Sequence, residues 1–386
     1  MTLGTDGAVE MPRDVVCYYH EPLKAPFLHH VVLPLVDRLR LRVPAIHVER
    51  HWLHGPHLRI RISGAPDAVA VAEREAVTAL RAALLTHPSR AAIDHAELLR
   101  DAAIAGRAEL VPGPYTPIHP DNTVRAEPPA DGGIHRLLGT AAVRCRADLL
   151  RAGLHPLRAA VAELTENGNT VGGRLRIALT AMAVRAAHYP DGFALGYHTF
   201  LSHTEDFLYQ HDHDGRIRAG FESRWQQRAA PLTAEVERLL AAAGTGTDPA
   251  VRPWVAWEEA AWSRCRAAHT RGELPIGPGE EYARLAHQLA DPATIRRWDP
   301  TSGTTYSRYH LALQRLDFLN LPGVAEHFPP YRFATNVLYL LLSLADVTPM
   351  ERYLAAYLFS QAVQRITGLT WQEGMRTQLT EIEEQA

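Results

Sequence analysis

Five residues, Leu58-Arg59-Ile60-Arg61-Ile62, constrain this chain more than any other stretch of it. Apolar and basic side chains alternate with period two, a pattern that suits a strand and not a helix. Leu58, Ile60 and Ile62 point to one face of a sheet, and His57, Arg59 and Arg61 to the other. One face therefore belongs to a core. The other is a row of hydrogen-bond donors, two of them permanently cationic. It reads either as a solvated strand face or as a carboxylate- or phosphate-binding surface inside a cleft.

The neighbours of this strand extend the argument. A turn at His54-Gly55-Pro56 joins it to a second run from Ala45 to Trp52. Val15 to Tyr19 is β-prone. Leu28 to Leu39 has apolar residues at helical spacing, with Pro34 marking a late start or a kink. Pro66 to Leu85 is alanine-rich and helical. The order strand, helix, strand, strand, helix predicts a ferredoxin-like or related α+β unit over roughly 14–90. Val111 to Gly133 carries six prolines and three glycines, a density that blocks regular helix and predicts an irregular, polyproline-like loop. Leu137 to Leu164, Val171 to Ala187, Gly196 to Tyr209, 220–243, 250–270 and Thr301 to Leu319 read as helical. Thr348-Pro349-Met350-Glu351 is a helix start, running to about Thr367 with Gly368 just beyond it. The expected fold class is α+β: a small N-terminal antiparallel or mixed sheet with flanking helices, the remainder mainly helical. Residues 1–13 read as a loose tail, 14–110 as the α+β unit and 111–135 as the proline-rich loop. Residues 136–386 read as a mainly helical region completing the same cleft.

Bulk properties exclude several classes. A net charge of −3 over 386 residues supplies no global basic field, so nucleic acid is not an expected partner. Cys17, Cys145 and Cys265 are far apart and odd in number. They form neither a disulfide framework nor a zinc spacing, and they point to the cytoplasm. The N-terminal stretch has no basic region followed by an apolar one, so no signal peptide is expected there. The most apolar run, Val337 to Ala345, is too short to span a bilayer, so no membrane partner is expected.

Few side chains carry recognisable chemistry. On a helix, Tyr306, His310, Gln314 and Asp317 would share one face, and a His beside Tyr, Gln and an acid can serve as an oriented general acid or base. Arg125, in the proline-rich loop, could be held for a carboxylate. His211-Asp212-His213-Asp214 is too tightly spaced for one regular element to aim all four inward, so no metal is expected. Ser202-His203 with Asp206 lacks the strand–turn–helix context of a hydrolase serine. No glycine-rich nucleotide motif is present, and no cofactor is implied.

Taken in order, a basic strand HLRIR, a proline-rich loop with an Arg and a helix with YHLALQR resemble the C-terminal elimination domain of class I lanthipeptide dehydratases. That domain also occurs as stand-alone proteins of lanthipeptide and thiopeptide biosynthesis. VCYYHEPLKAPFLHHVVLPLVDRL resembles its opening strand and helix, and RHWLHGPHLRIRISG its RY-x-DPGPHLRLRF motif. The resemblance is good over roughly 14–90, fainter over 110–210, and returns around 301–320. It implies removal of glutamate from glutamylated Ser or Thr of a precursor peptide, leaving dehydroalanine or dehydrobutyrine. It implies His310 as the catalytic histidine of an HMHxNR helix, with Arg315 at that motif's Arg, and Arg59 and Arg61 on the basic strand. Arg125 is a weak match to the Arg of a Y-x-x-E-x-x-RYGG loop, with Tyr115 upstream and Gly132-Gly133 downstream. The implied catalytic set is thus His310, Arg61, Arg59, Arg125 and Tyr306. His57, Tyr115, Gln314 and Arg315 are implied to bind substrate. The partners implied are a precursor peptide, leader plus core, and a separate glutamylating dehydratase subunit.

The chain also departs from that pattern. RYGG is absent, Gln314 replaces the Asn of HMHxNR, and residues 210–300 exceed what elimination needs. A related stand-alone branch, the thiopeptide pyridine synthases, joins two dehydroalanines in a formal [4+2] aza-cycloaddition, then expels water and the leader. That is the alternative reading. A third is a non-catalytic module that presents the leader to a dehydratase through a sheet edge.

Overall fold

The computed structural model describes residues 2–3, 9–10, 12–129, 132–275, 277, 279–303, 305–321 and 323–377. The chain forms two compact units. The first gathers Met1–Asn169, Pro275–Thr304 and Ser343–Asp346; the second gathers Thr170–Leu274, Thr305–Leu342 and Val347–Ala386.

The first unit carries the α+β part. Strands β1 (Arg13–Tyr18), β2 (Ala45–His51), β3 (His57–Ser63) and β4 (Thr123–Glu127) form an antiparallel sheet in the order β2-β3-β1-β4. The alternation read from the sequence sets its apolar face: Leu58, Ile60 and Ile62 are buried with Val15, Cys17, Ile46, Val48 and Val124. The Pro66–Thr86 helix packs on the sheet and buries Val69, Ala72, Ala76 and Leu80. Full burial of one such Leu, Ile or Val contributes about 1.5–3 kcal/mol. A two-residue ladder also pairs Thr2–Leu3 with Val9–Glu10. The rest of 1–11, where a loose tail is expected, lies outside the described residues.

Two element readings need correction, and a third gains detail. The proline-rich stretch is not all loop. Past Pro120 it contains Thr-Val-Arg-Ala-Glu, free of Pro and Gly, and this forms β4 against β1. Leu137 to Leu164 is helical as read, in separate helices: Thr140–Ala152 and Leu154–Glu166 meet at Gly153. Around Pro34 the helix starts early, at Ala25, and takes a wide turn over Leu28–Val32, where Leu33 N–H bonds to Leu28 C=O.

The first unit also contains a buried junction. Asp346 accepts hydrogen bonds from the Lys24 and Ala25 amides at 2.8 and 2.7 Å, from Arg50 at 2.9 Å and from Asn169 at 2.8 Å. Lys24 is itself fully buried, donating Nζ to the carbonyls of Tyr19 and Glu21.

The second unit is helical. Val171–Ala187, Arg216–Thr245 and Pro349–Thr367 pack on one another, with His198–His211 and Arg252–Thr270 alongside. At its centre Arg185, fully buried, bonds to Glu258, to the Tyr331 carbonyl and to Thr335, with its guanidinium 3.9 Å from the Tyr331 ring centroid. The Thr348 helix start is as read: Thr348 and Glu351 cap each other reciprocally, and Gly368 closes the helix at φ 70°. The HDHDG turn also has a structural use, since both Asp212 oxygens accept amides of the following helix, from Ile217 and Arg218. Among the described residues no helix is long and apolar enough to cross a membrane.

Candidate functional site

The residues singled out from the sequence divide between the two units. His57, Arg59, Arg61, Tyr115 and Arg125 lie in the first; Tyr306, His310, Gln314 and Arg315 lie in the second.

In the first unit the basic strand is not a solvated face. Arg59 and Arg61 are 8 % and 6 % exposed and His57 is 2 % exposed. The register explains what surrounds them. Asp14 on β1 and His47 on β2 flank Arg61, Val16 and Glu49 flank Arg59, and Tyr18 and His51 flank His57. The sheet's second face is therefore polar and buried. Arg61 forms a two-pronged pair with Asp14, at 2.6 and 2.7 Å. Glu49 takes the Arg146 guanidinium at 3.1 and 2.8 Å and His47 at 2.9 Å. Burial alone would raise the Glu49 pKa, but Arg146 and His47 hold it well below the usual carboxylate range. Three guanidiniums thus meet two carboxylates, and the shortfall falls on Arg59. Its Nε makes no hydrogen bond, its nearest Asp14 oxygen is 3.5 Å away, and its Nη2 is 3.5 Å from His57 Nε2. His57 Nδ1 lies 2.9 Å from the Gly55 carbonyl, so Nδ1 holds the proton and Nε2 turns a lone pair toward Arg59. Burial, with His51 and Arg59 adding to it, keeps the His57 pKa well below the ordinary imidazole value.

Arg125 is not on a loop. It sits on edge strand β4 with its side chain half exposed, bonded to Glu127 at 3.0 Å. Tyr115 is in the loop, its hydroxyl donating to the Val111 carbonyl at 3.0 Å and its ring edge-on to Trp52.

In the second unit the expected four-residue face is shorter than the sequence implied. The helix is Arg308–Arg315, capped by Ser307; Tyr306 precedes the cap, and Asp317 lies beyond the end at φ 48°. Tyr306, Gln314 and Arg315 are exposed, and their side chains make no hydrogen bond among the described residues. His310 is different. Its Nε2 lies 2.9 Å from Ser202 Oγ and its Nδ1 2.8 Å from Ser307 Oγ. Burial lowers its pKa below the ordinary imidazole value, opposed by the nearby carboxylates of Asp206 and Glu205. Beside it Tyr309 is buried, its hydroxyl 3.0 Å from His198 Nδ1 and its ring edge-on to Trp371. Burial lowers the His198 pKa to about 4, so this imidazole is neutral and serves as a support.

Ser202, set aside in the sequence for want of a hydrolase context, is the residue whose partner the sequence did not reveal. Its neighbour His203 points about 100° away around the helix and bonds to Tyr339 at 2.9 Å. The histidine that does meet Ser202 lies 108 residues later, a distance no local pattern reveals. His310 thus has a hydroxyl on each ring nitrogen, which orients the ring. Ser307 is 4 % exposed and also caps the helix, whereas Ser202 is only partly buried.

The fold so described is shared with solved structures. One is "Pyridine synthase, TbtD, from thiomuracin biosynthesis", similar over 93 % of this chain and 99 % of that one, at TM-score 0.71 and 20 % identity. Another is TsrL, similar over 96 % of this chain and 98 % of that one, at TM-score 0.61 and 15 % identity. No protein-family model matches the chain, and no curated protein matches it in sequence.

Proposed function

We propose that this protein is a maturation enzyme of a ribosomally made peptide, and that it forms a pyridine by joining two dehydroalanines and releasing the leader. The observation that carries this reading is the end-to-end likeness to a thiomuracin pyridine synthase. Residues 210–300, surplus to an elimination domain, are ordinary parts of that fold. The chemistry needs proton movement more than it needs charge. One dehydroalanine amide must lose its N–H proton and gain one on oxygen to become an azadiene. The ring formed with the second dehydroalanine then loses water, and finally the leader as its amide. In this reading His310 exchanges those protons through the Ser202 hydroxyl, while Ser307 holds the ring in place. Tyr306 lies beside this relay in sequence and is 40 % exposed.

Glutamate elimination is the second reading, and one observation favours it. The unfilled Nε of buried Arg59 is a donor of the kind a glutamyl carboxylate would take. On this reading a separate glutamylating subunit supplies the substrate. Either reaction would take place in the cytoplasm on a precursor peptide.

Mass spectrometry separates the readings. The protein is incubated with a leader-bearing peptide carrying two dehydroalanines, and in parallel with one carrying glutamylated serine. Conversion of the first to a leader amide and a pyridine product, abolished in His310→Ala, is the expected result. Loss of glutamate from the second peptide instead would shift the assignment to elimination. Unchanged conversion by His310→Ala would remove His310 from the chemistry, and conversion of neither peptide by wild type would leave a leader-presenting role.

A further inference from the structure

We infer that a cavity in the first unit, separate in sequence from the residues given catalytic roles above, holds an acidic residue of the precursor's leader. The inference rests on the proposed peptide substrate and names a contact for it. The cavity measures about 430 Å³ and opens where the end of the His95–Glu109 helix, the loop at Pro112 and Tyr115, and the end of the Glu280–Leu289 helix meet. Its walls are apolar at Pro112, Tyr115 and Leu289 and polar at Arg107, Gln288 and Asp291.

The polar groups make no hydrogen bond to each other. Arg107 makes no hydrogen bond or ion pair among the described residues, although its charge adds to the Thr294 hydrogen bonds in lowering the Asp291 pKa, and the Gln288 amide makes none either. Asp291 uses Oδ2 for Thr294, at 2.9 and 2.8 Å, and leaves Oδ1 open. The Tyr115 wall is fixed. Its hydroxyl is tied to Val111, and Trp52 meets its ring edge-on while donating to Glu109 at 3.0 Å. Gly106 leaves the room this needs, because a Cβ there would clash with the Tyr115 hydroxyl. A guanidinium, an amide and a carboxylate oxygen around an aromatic and proline wall match an extended peptide. Its carboxylate side chain meets Arg107, its backbone N–H meets Asp291, and an adjoining apolar side chain lies on Tyr115. The approximate volume accommodates one or two side chains, so this is a point of capture and not a full leader groove.

The test uses the leader half of the precursor, fluorescein-labelled, and a twin in which every Asp and Glu is Asn or Gln. Affinity is read by anisotropy on the full-length protein, with Arg107→Glu and Gln288→Ala beside wild type. Charge reversal at an exposed position leaves the fold intact, which circular dichroism verifies. The expected result is binding at least about tenfold weaker for Arg107→Glu, a smaller loss for Gln288→Ala, and a comparable loss for the twin on wild type. Equal affinity of both peptides, or no effect of Arg107→Glu, overturns the inference while leaving the proposed reaction to its own mass-spectrometric test. Absence of leader binding by wild type overturns it as well.

Discussion

Two side chains carry most of the functional argument, and their environments make opposite demands. His310 has a hydroxyl on each ring nitrogen and is buried enough for its pKa to fall below the ordinary imidazole value. A lowered pKa means that the neutral, proton-accepting form persists as pH falls. The kcat/KM profile should therefore stay flat on the acid side to below the usual histidine range near 6.5, and lose activity only beneath it. An acid limb centred above 6.5 would contradict the burial. Ser202→Ala should reduce turnover by roughly 100-fold or more, the scale of a lost proton-transfer group. A change in KM alone would remove Ser202 from the relay. Arg61 is the contrasting case. With both its prongs on Asp14 it supports the sheet, and Asp14→Asn should cost about 3–5 kcal/mol by leaving buried guanidinium charge uncompensated. Urea denaturation measures this, and a loss under about 1 kcal/mol would show that the pair is not buried in solution.

At the scale of elements, local chemistry was legible and long-range pairing was not. Leu58, Ile60 and Ile62 announced the sheet's apolar face by alternation alone, and Thr348 with Glu351 announced a helix start by its cap. The polar face was legible as a row of donors. That it is buried was not, because this depends on Asp14 and Glu49 coming from other strands. The β4 strand was hidden by composition: the prolines on either side of Thr-Val-Arg-Ala-Glu dominate any average taken across them. His310 could be picked out as an oriented histidine, but its partner Ser202 could not, since the pairing exists only after two distant helices have packed. The loop at Tyr115 permits an element-level test. Gly106→Ala must push aside the Tyr115 hydroxyl, so it should destabilise by roughly 1–3 kcal/mol although alanine is the better helix former. Stabilisation would mean that the loop yields freely.

On the scale of the whole molecule, each unit has its own core and its own buried ion pair, Asp14–Arg61 in the first and Arg185–Glu258 in the second. Two-state unfolding is accordingly not assured. Scanning calorimetry should resolve more than one transition, with Asp14→Asn lowering one and Glu258→Gln another. A single transition lowered equally by both would mean that the units unfold as one.

The interleaving of the units bears on how the chain comes off the ribosome. The first unit begins near the N-terminus, yet the carboxylate that receives the Lys24 and Ala25 amides and the Arg50 guanidinium is Asp346, 322 residues after Lys24. While the intervening helices are being translated, those buried donors have no acceptor. A nascent chain arrested before residue 346 would hold an unfinished sheet domain that must wait, shielded by chaperones or by its own partial collapse, until 322 residues beyond Lys24 have emerged.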